Sequence, residues 1–311
     1  MQASYGQRGI IGLATPQGNP TAETEFRVLL PAGVIPATVR LVSKDADPRH
    51  RLRDYFVDLS ATLDRFDRLP LAGVGIACTG SSYVLGHAEA ERRCREVATA
   101  RSLAVVSAAD AIDQALRHLG VSRLALLCPY PEWLELLAVA YWQDRGYSVV
   151  DVMSVAGDQH DTRSIYRLNP ASHTRSIHER WSSVTADAYL ITGTGMPSLA
   201  LIDALSAQLK APVLSSTLCL AWACLGGRRH QSRKPWRYRP NAIAGGLVRG
   251  PGAFVIQSCS SSQRASRWVS SGVRLFWYTM LVSFSRPLVS RIHAINSAWV
   301  QRIFAEPRAS E

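Results

Sequence analysis

Apolar residues along this chain fall into two alternating patterns. Short runs rich in Val, Ile and Leu that stop at Gly, Ser, Thr or Pro occur at 9–16, 37–43, 71–80, 103–107, 123–130, 147–155, 187–195 and 211–217. Runs of that length with such boundaries predict β-strands. Between them, 49–66, 82–100, 108–119, 131–145 and 196–209 place apolar residues three and four apart, as on one face of a helix, and Gly120 and Gly146 stand where helices stop. Strands that alternate with helices predict an α/β fold with mostly parallel sheets covered by helices.

Two of the strand runs are alike. GVGIACTGSSY at 73–83 and DAYLITGTGMPS at 187–198 each pass from an apolar strand through a Gly/Thr/Ser turn toward a helix. In open α/β sheets, ligands gather at the carboxyl ends of strands, where helix N-termini offer N–H groups to anions. A pair of such turns half a chain apart predicts two similar lobes facing one cleft. The expected catalytic domain is 1–227, with lobe one at about 1–115 plus 211–227 and lobe two at about 116–210.

Composition changes this picture mainly at the C-terminal end. The 311 residues are 47% hydrophobic, enough for a full core. The net charge of +11 is unevenly placed: residues 228–311 carry fourteen Lys or Arg against Glu306 and Glu311, which leaves 1–227 at −1. A near-neutral body gives no reason to expect a nucleic-acid partner. The segment 228–311 holds Trp236, Trp268, Trp277 and Trp299 but shows no sustained period, and is expected to be a basic, atypical, poorly ordered tail. Its run LFWYTMLVSF at 275–284 is half the ~20 residues that a membrane span requires. No membrane span is expected. The start, MQASYGQRGIIGLATP, lacks a basic segment leading into a long apolar run, which predicts a cytoplasmic protein; a homo-oligomer is compatible with the sequence.

Candidate chemistry centres on one of six cysteines. Cys78, Cys94, Cys128, Cys219, Cys224 and Cys259 form no CxxC pair, and His87, His118, His160, His173 and His178 share no metal-ligand spacing. No metal is expected. The GTG at 193–195 is too short for a dinucleotide fingerprint, so no cofactor is implied. Cys94 lies among charges in a helical pattern, Cys219 and Cys224 in an apolar one, and Cys128 is followed by Pro129, which has no N–H to offer. Cys78 alone stands where a strand ends and a helix opens, a setting that lowers a thiol pKa and favours the thiolate. Position alone also fits a buried structural cysteine. The following Thr79-Gly80-Ser81-Ser82 tilts the reading toward function, because small residues admit a ligand and three hydroxyls suit a carboxylate.

Taken together, several motifs make residues 8–226 resemble the maleate cis-trans isomerase and arylmalonate decarboxylase family of the aspartate/glutamate racemase superfamily. They are Pro16-x-x-Asn19 in ATPQGNPTAE, the ACTGSS turn, a strand ending in Pro129-Tyr130, the GTGMPSL turn and a closing SSTLCLAWA. The resemblance implies two racemase-like lobes with mostly parallel sheets and a cofactor-free site in the cleft between them. It matches Cys78 to the family's first cysteine, Tyr130 to a carboxylate-binding tyrosine, Asn19 to a polar substrate contact, and Thr79 and Thr194 to carboxylate-cradling positions. Pro16, Gly80, Ser81, Gly193 and Gly195 fall in the same substrate-binding turns. The second turn departs from the pattern: aligned through Met-Pro-Ser-Leu, the second cysteine falls on Gly193.

Racemisation needs an acid and a base on opposite faces of one carbon, so this departure disfavours it. The expectation is a cofactor-independent cysteine enzyme acting on a small dicarboxylate by maleate-type cis-trans isomerisation through Cys78. The alternatives are an arylmalonate-type decarboxylase with Cys78 as proton donor, and a carboxylate-binding protein without turnover.

Overall fold

The computed structural model describes residues 4–226 apart from 156, 157 and 159. The predicted tail, with Cys259, lies outside the described residues. The first half contains β1 (Gly9–Pro16), α1 (Thr21–Leu29), β2 (Val34–Leu41), α2 (Pro48–Val57), α3 (Leu59–Asp64), β3 (Leu71–Ile76), α4 (Thr79–Leu85), α5 (His87–Arg101), β4 (Val105–Ser107) and α6 (Ala108–His118). The second contains β5 (Arg123–Cys128), α7 (Glu132–Asp144), β6 (Ser148–Ser154), α8 (Thr174–Ser182), β7 (Ala188–Ile191), α9 (Leu199–Ser206), β8 (Val213–Ser215) and α10 (Ser216–Cys224). A 3₁₀ segment, Thr162–Arg167, lies between β6 and α8.

All pairings are parallel, in two four-stranded sheets of order β2-β1-β3-β4 and β6-β5-β7-β8. The orders are the same, so β3 and β7 occupy equivalent places and the turns that follow them are counterparts. Leu13, Ala14 and Ile76 of the first sheet and Leu124 to Leu127 of the second are fully buried, as strands covered on both faces must be.

Three sequence expectations need correction. The helices expected at 49–66 and 82–100 are each two helices, broken at Asp58 and at Gly86. Gly86 has φ +80, a conformation that glycine adopts without the Cβ clash that other residues meet. Second, α1 and α8 were not anticipated. Third, the segment assigned to lobe one after residue 211 divides: β8 pairs with β7 in the second sheet, whereas α10 packs on α6, α1 and β3. That return is possible because Gly75 leaves room. A Cβ there would sit 2.9 Å from Cys224 Sγ and 3.1 Å from Leu220 Cγ.

Polar side chains tie the halves together. Thr21 Oγ1 donates to Gly195 O at 2.7 Å, and Thr194 Oγ1 to Ala77 O at 2.6 Å. From α1, the buried Glu25 carboxylate accepts from Ser198 Oγ at 2.9 Å and from the N–H groups of Ser198 and Leu199, capping α9. Burial pushes the Glu25 pKa up, and these donors pull it part of the way back.

Candidate active site

Cys78 leaves β3 in an extended conformation (φ −148, ψ 97) and is the N-cap of α4. Its side chain is buried at 5% exposure, and Ser81 Oγ donates to Sγ at 3.1 Å. Burial pushes the thiol pKa up; the Ser81 hydroxyl, the N–H groups of Ser81 and Gly80, and the charge of Arg51 pull it back. The net shift is upward, which corrects the expectation of a lowered thiol: desolvation outweighs the donors at the helix start. On this balance burial favours the neutral thiol, and its anion forms only as pH rises above the ordinary thiol range.

One cavity of about 50 Å³ joins the two turns. From the sequence-derived candidates it collects Cys78, Thr79, Gly80 and Pro16 on one side, and Tyr130, Gly193, Thr194 and Gly195 on the other, with Asn19 between. Ser81 does not line it and acts on the sulfur from behind. Thr79 Oγ1 and Tyr130 OH lie 2.8 Å apart. Two hydroxyls that share one hydrogen bond keep one O–H to donate elsewhere, so this pair can bind a carboxylate oxygen. The Thr194 hydroxyl is differently placed. Its proton is committed to Ala77 O and its oxygen receives Asn19 Nδ2 at 3.3 Å, so only its backbone remains for a ligand. Asn19 is engaged at both ends of its amide, accepting from the N–H groups of Thr21 and Ala22 and donating to Thr194.

Several lining residues had no sequence signal. Arg51, Leu52 and Tyr55 come from α2, and Thr162, Arg163, Ile165 and Tyr166 from the 3₁₀ segment. Arg51 sits in PRHRLRDYFV, where charges look like a solvated face, yet its side chain is only 5% exposed. Tyr55 is buried beside it, its phenol pushed up to about 12 chiefly by burial. The 3₁₀ segment closes over the second turn. A Cβ on Gly193 would lie 2.7 Å from Ile165 Cδ1, and one on Gly195 2.6 Å from Tyr166 Cε1. Gly193 itself has φ +83. Ile165 therefore occupies the space that a side chain at the second turn would need. Among the described residues, no group of three or more His, Cys, Asp or Glu is placed to hold a metal ion, and no helix is long and apolar enough to cross a membrane.

Two parallel sheets with one strand order, each ending its third strand at a shared cavity, define the two-lobed, racemase-like α/β class. Within it, the chain belongs to the arylmalonate decarboxylase family, whose model it matches over residues 65–236. It is 28% identical over 256 residues to a maleate isomerase of Geobacillus stearothermophilus, covering 77% of this chain and 97% of that one. Among solved structures it is similar to a Nocardia farcinica maleate cis-trans isomerase, a cysteine-to-serine variant with a covalently bound succinylcysteine intermediate. There the TM-score is 0.59 and the identity 25%, over 70% of this chain and 91% of that one. Arylmalonate decarboxylase itself shares the fold, with a TM-score of 0.56 and 19% identity over 70% of this chain and 90% of that one.

Proposed function

We propose that this chain is a cofactor-independent isomerase that converts a maleate-like cis-dicarboxylate to its trans isomer through Cys78. The observation that carries the reading is that a single thiol, Cys78, lines the cavity while its counterpart position, Gly193, has no side chain. The Cys78 thiolate adds to one alkene carbon, forming a C–S bond. The π electron pair moves onto the neighbouring carbon and its carboxylate as an enediolate. The bond between the two carbons is now single and rotates; the electron pair then returns and expels the thiolate, leaving the trans alkene. The Cys78 thiol gives its proton to solvent before it adds; from the thiolate onward no proton is gained or lost, so no acid is required opposite Cys78.

The chain's own residues supply what this route needs. The Thr79–Tyr130 hydroxyl pair holds one carboxylate, where its free O–H steadies the developing enediolate. The Ser81 hydroxyl and the N–H groups of Gly80 and Ser81 steady the thiolate as it leaves. Decarboxylation is the second reading, and the family match favours it: Cys78 as a thiol would then protonate the enediolate left by loss of carbon dioxide. Arg51 weighs against it, because a cation lining the cavity stabilises a second carboxylate rather than its departure. Incubation with maleate and, separately, with phenylmalonate distinguishes the two. The account expects fumarate from the first and no carbon dioxide from the second; carbon dioxide without fumarate would reverse the assignment.

A further inference from the structure

Burying a guanidinium is costly unless an anion meets it. Arg51 meets one only at long range. Its Nη1 donates to the carbonyls of Asp45 (3.3 Å) and Ala46 (3.2 Å), and its Nη2 to Thr162 Oγ1 at 3.1 Å. Among the described residues its carboxylate partner is Asp161, at 3.7 Å. Asp161 is held more closely by another group: Arg163 Nε lies 2.9 Å and its backbone N–H 3.0 Å from the same Oδ1. Two guanidiniums thus share one carboxylate, a surplus of one positive charge. That surplus faces the Cys78 cavity, which Arg51, Thr162 and Arg163 all line. The Arg51–Asp161 contact is the longer of the two polar ties between Arg51 and the 161–167 strap, at 3.7 Å against 3.1 Å to Thr162.

We propose that Arg51 is the specificity residue for the second carboxylate of the ligand, and that this carboxylate takes the place of Asp161 on the Arg51 guanidinium. The assignment rests on the cavity being a carboxylate site as read above. A dicarboxylate then meets two anchors, the hydroxyl pair and the guanidinium, in the cavity that Cys78 lines. A monocarboxylate gains only the hydroxyl pair. Asp161 is the internal competitor that occupies Arg51 when no ligand does.

Calorimetric titration of the full chain with succinate and with butyrate tests this without requiring turnover. The wild-type protein is expected to prefer succinate by about 10- to 100-fold, the worth of a charge-assisted pair. Arg51→Gln should erase that preference while butyrate affinity stays within about twofold. Asp161→Asn should tighten succinate binding by roughly two- to fivefold, the worth of a long ion pair whose carboxylate is partly exposed, and leave butyrate unchanged. Equal loss of both ligands in Arg51→Gln, or a preference that survives it, overturns the assignment. If Arg51→Gln does not fold, Asp161→Asn decides alone: succinate binding that is weaker than or equal to wild type overturns it. The isomerase reading fails separately. A protein that behaves as described but converts no maleate keeps the Arg51 assignment and loses the reaction, whereas fumarate formation with an unchanged preference in Arg51→Gln does the reverse.

Discussion

The turns after β3 and β7 occupy the same place in two sheets of the same order, yet they are built differently. After β3, Cys78 stays extended and α4 begins at the next residue, so a side chain, helix N–H groups and a hydroxyl converge on one point. After β7, Gly193 turns into the left-handed region and the following helix waits until Leu199, beyond Pro197. What fills the second turn is not its own side chain but Ile165 and Tyr166 from the strap. The fold repeats while the turns do not: one presents a thiol, and the other a glycine backbone covered by Ile165 and Tyr166. This asymmetry suits a reaction conducted from one face.

The hardest test of that asymmetry is to remove its active half. Cys78→Ser is expected to lower maleate turnover on the order of a thousandfold or more, since a serine hydroxyl forms no anion near neutral pH. Succinate binding should persist within a few fold, because the hydroxyl pair and Arg51 are untouched. Steady-state rates with calorimetry on the same samples check both statements; full turnover in Cys78→Ser would show that the first turn is structural.

Repairing the passive half should fail. Gly193→Cys puts a side chain at φ +83 and drives its Cβ to within 2.7 Å of Ile165 Cδ1. A destabilisation of about 2 kcal/mol is expected, seen as a lower melting temperature, with no amino-acid racemisation gained. An unchanged melting temperature would mean that the two turns are more alike than their backbones suggest.

Smaller effects concern how Cys78 is tuned. Its thiol lies above the ordinary range, so the thiolate fraction, and with it the rate of alkylation by iodoacetamide, should still be climbing past the pH where an ordinary cysteine levels off. The same shift sets a stability trend. A group whose pKa is raised by folding contributes stability that is complete below the unfolded-state thiol pKa and is lost as pH rises through the folded one. Ser81→Ala removes the hydroxyl that donates to Sγ and should slow alkylation at fixed pH by about tenfold. A plateau at ordinary thiol pH, or no response to Ser81→Ala, would place the sulfur in a more open setting than this one.

The eight strands were legible because each is an apolar run closed by a turn residue, and β1 begins and ends where the pattern does. The two turns were legible through their Gly, Thr and Ser residues, and the cavity joins them as the cleft argument expects. Arg51 and the strap were not. Arg51 lies among Arg49, His50 and Arg53, and a helix bearing so many charges reads as a solvated face. Its burial arises only when Asp161 and Thr162, 110 positions and more along the chain, fold over it. The strap has no hydrophobic period of its own, and a 3₁₀ segment of six residues leaves little pattern to read. The polar partners of Asn19 and Thr194 were illegible for a related reason. Their types suggest ligand contacts; the distances show the Asn19 amide bonded to Thr21, Ala22 and Thr194, and the Thr194 hydroxyl donating to Ala77.

The claim that everything else leans on is that the reaction proceeds from the Cys78 side alone, without an acid across the cleft. Isomerisation of maleate in deuterium oxide, with mass analysis of the fumarate formed, tests it most directly. Addition, rotation and expulsion exchange no carbon-bound hydrogen, so the account predicts fumarate free of deuterium. Fumarate carrying solvent deuterium would mean that a proton is delivered and removed at carbon, and would contradict a one-sided mechanism.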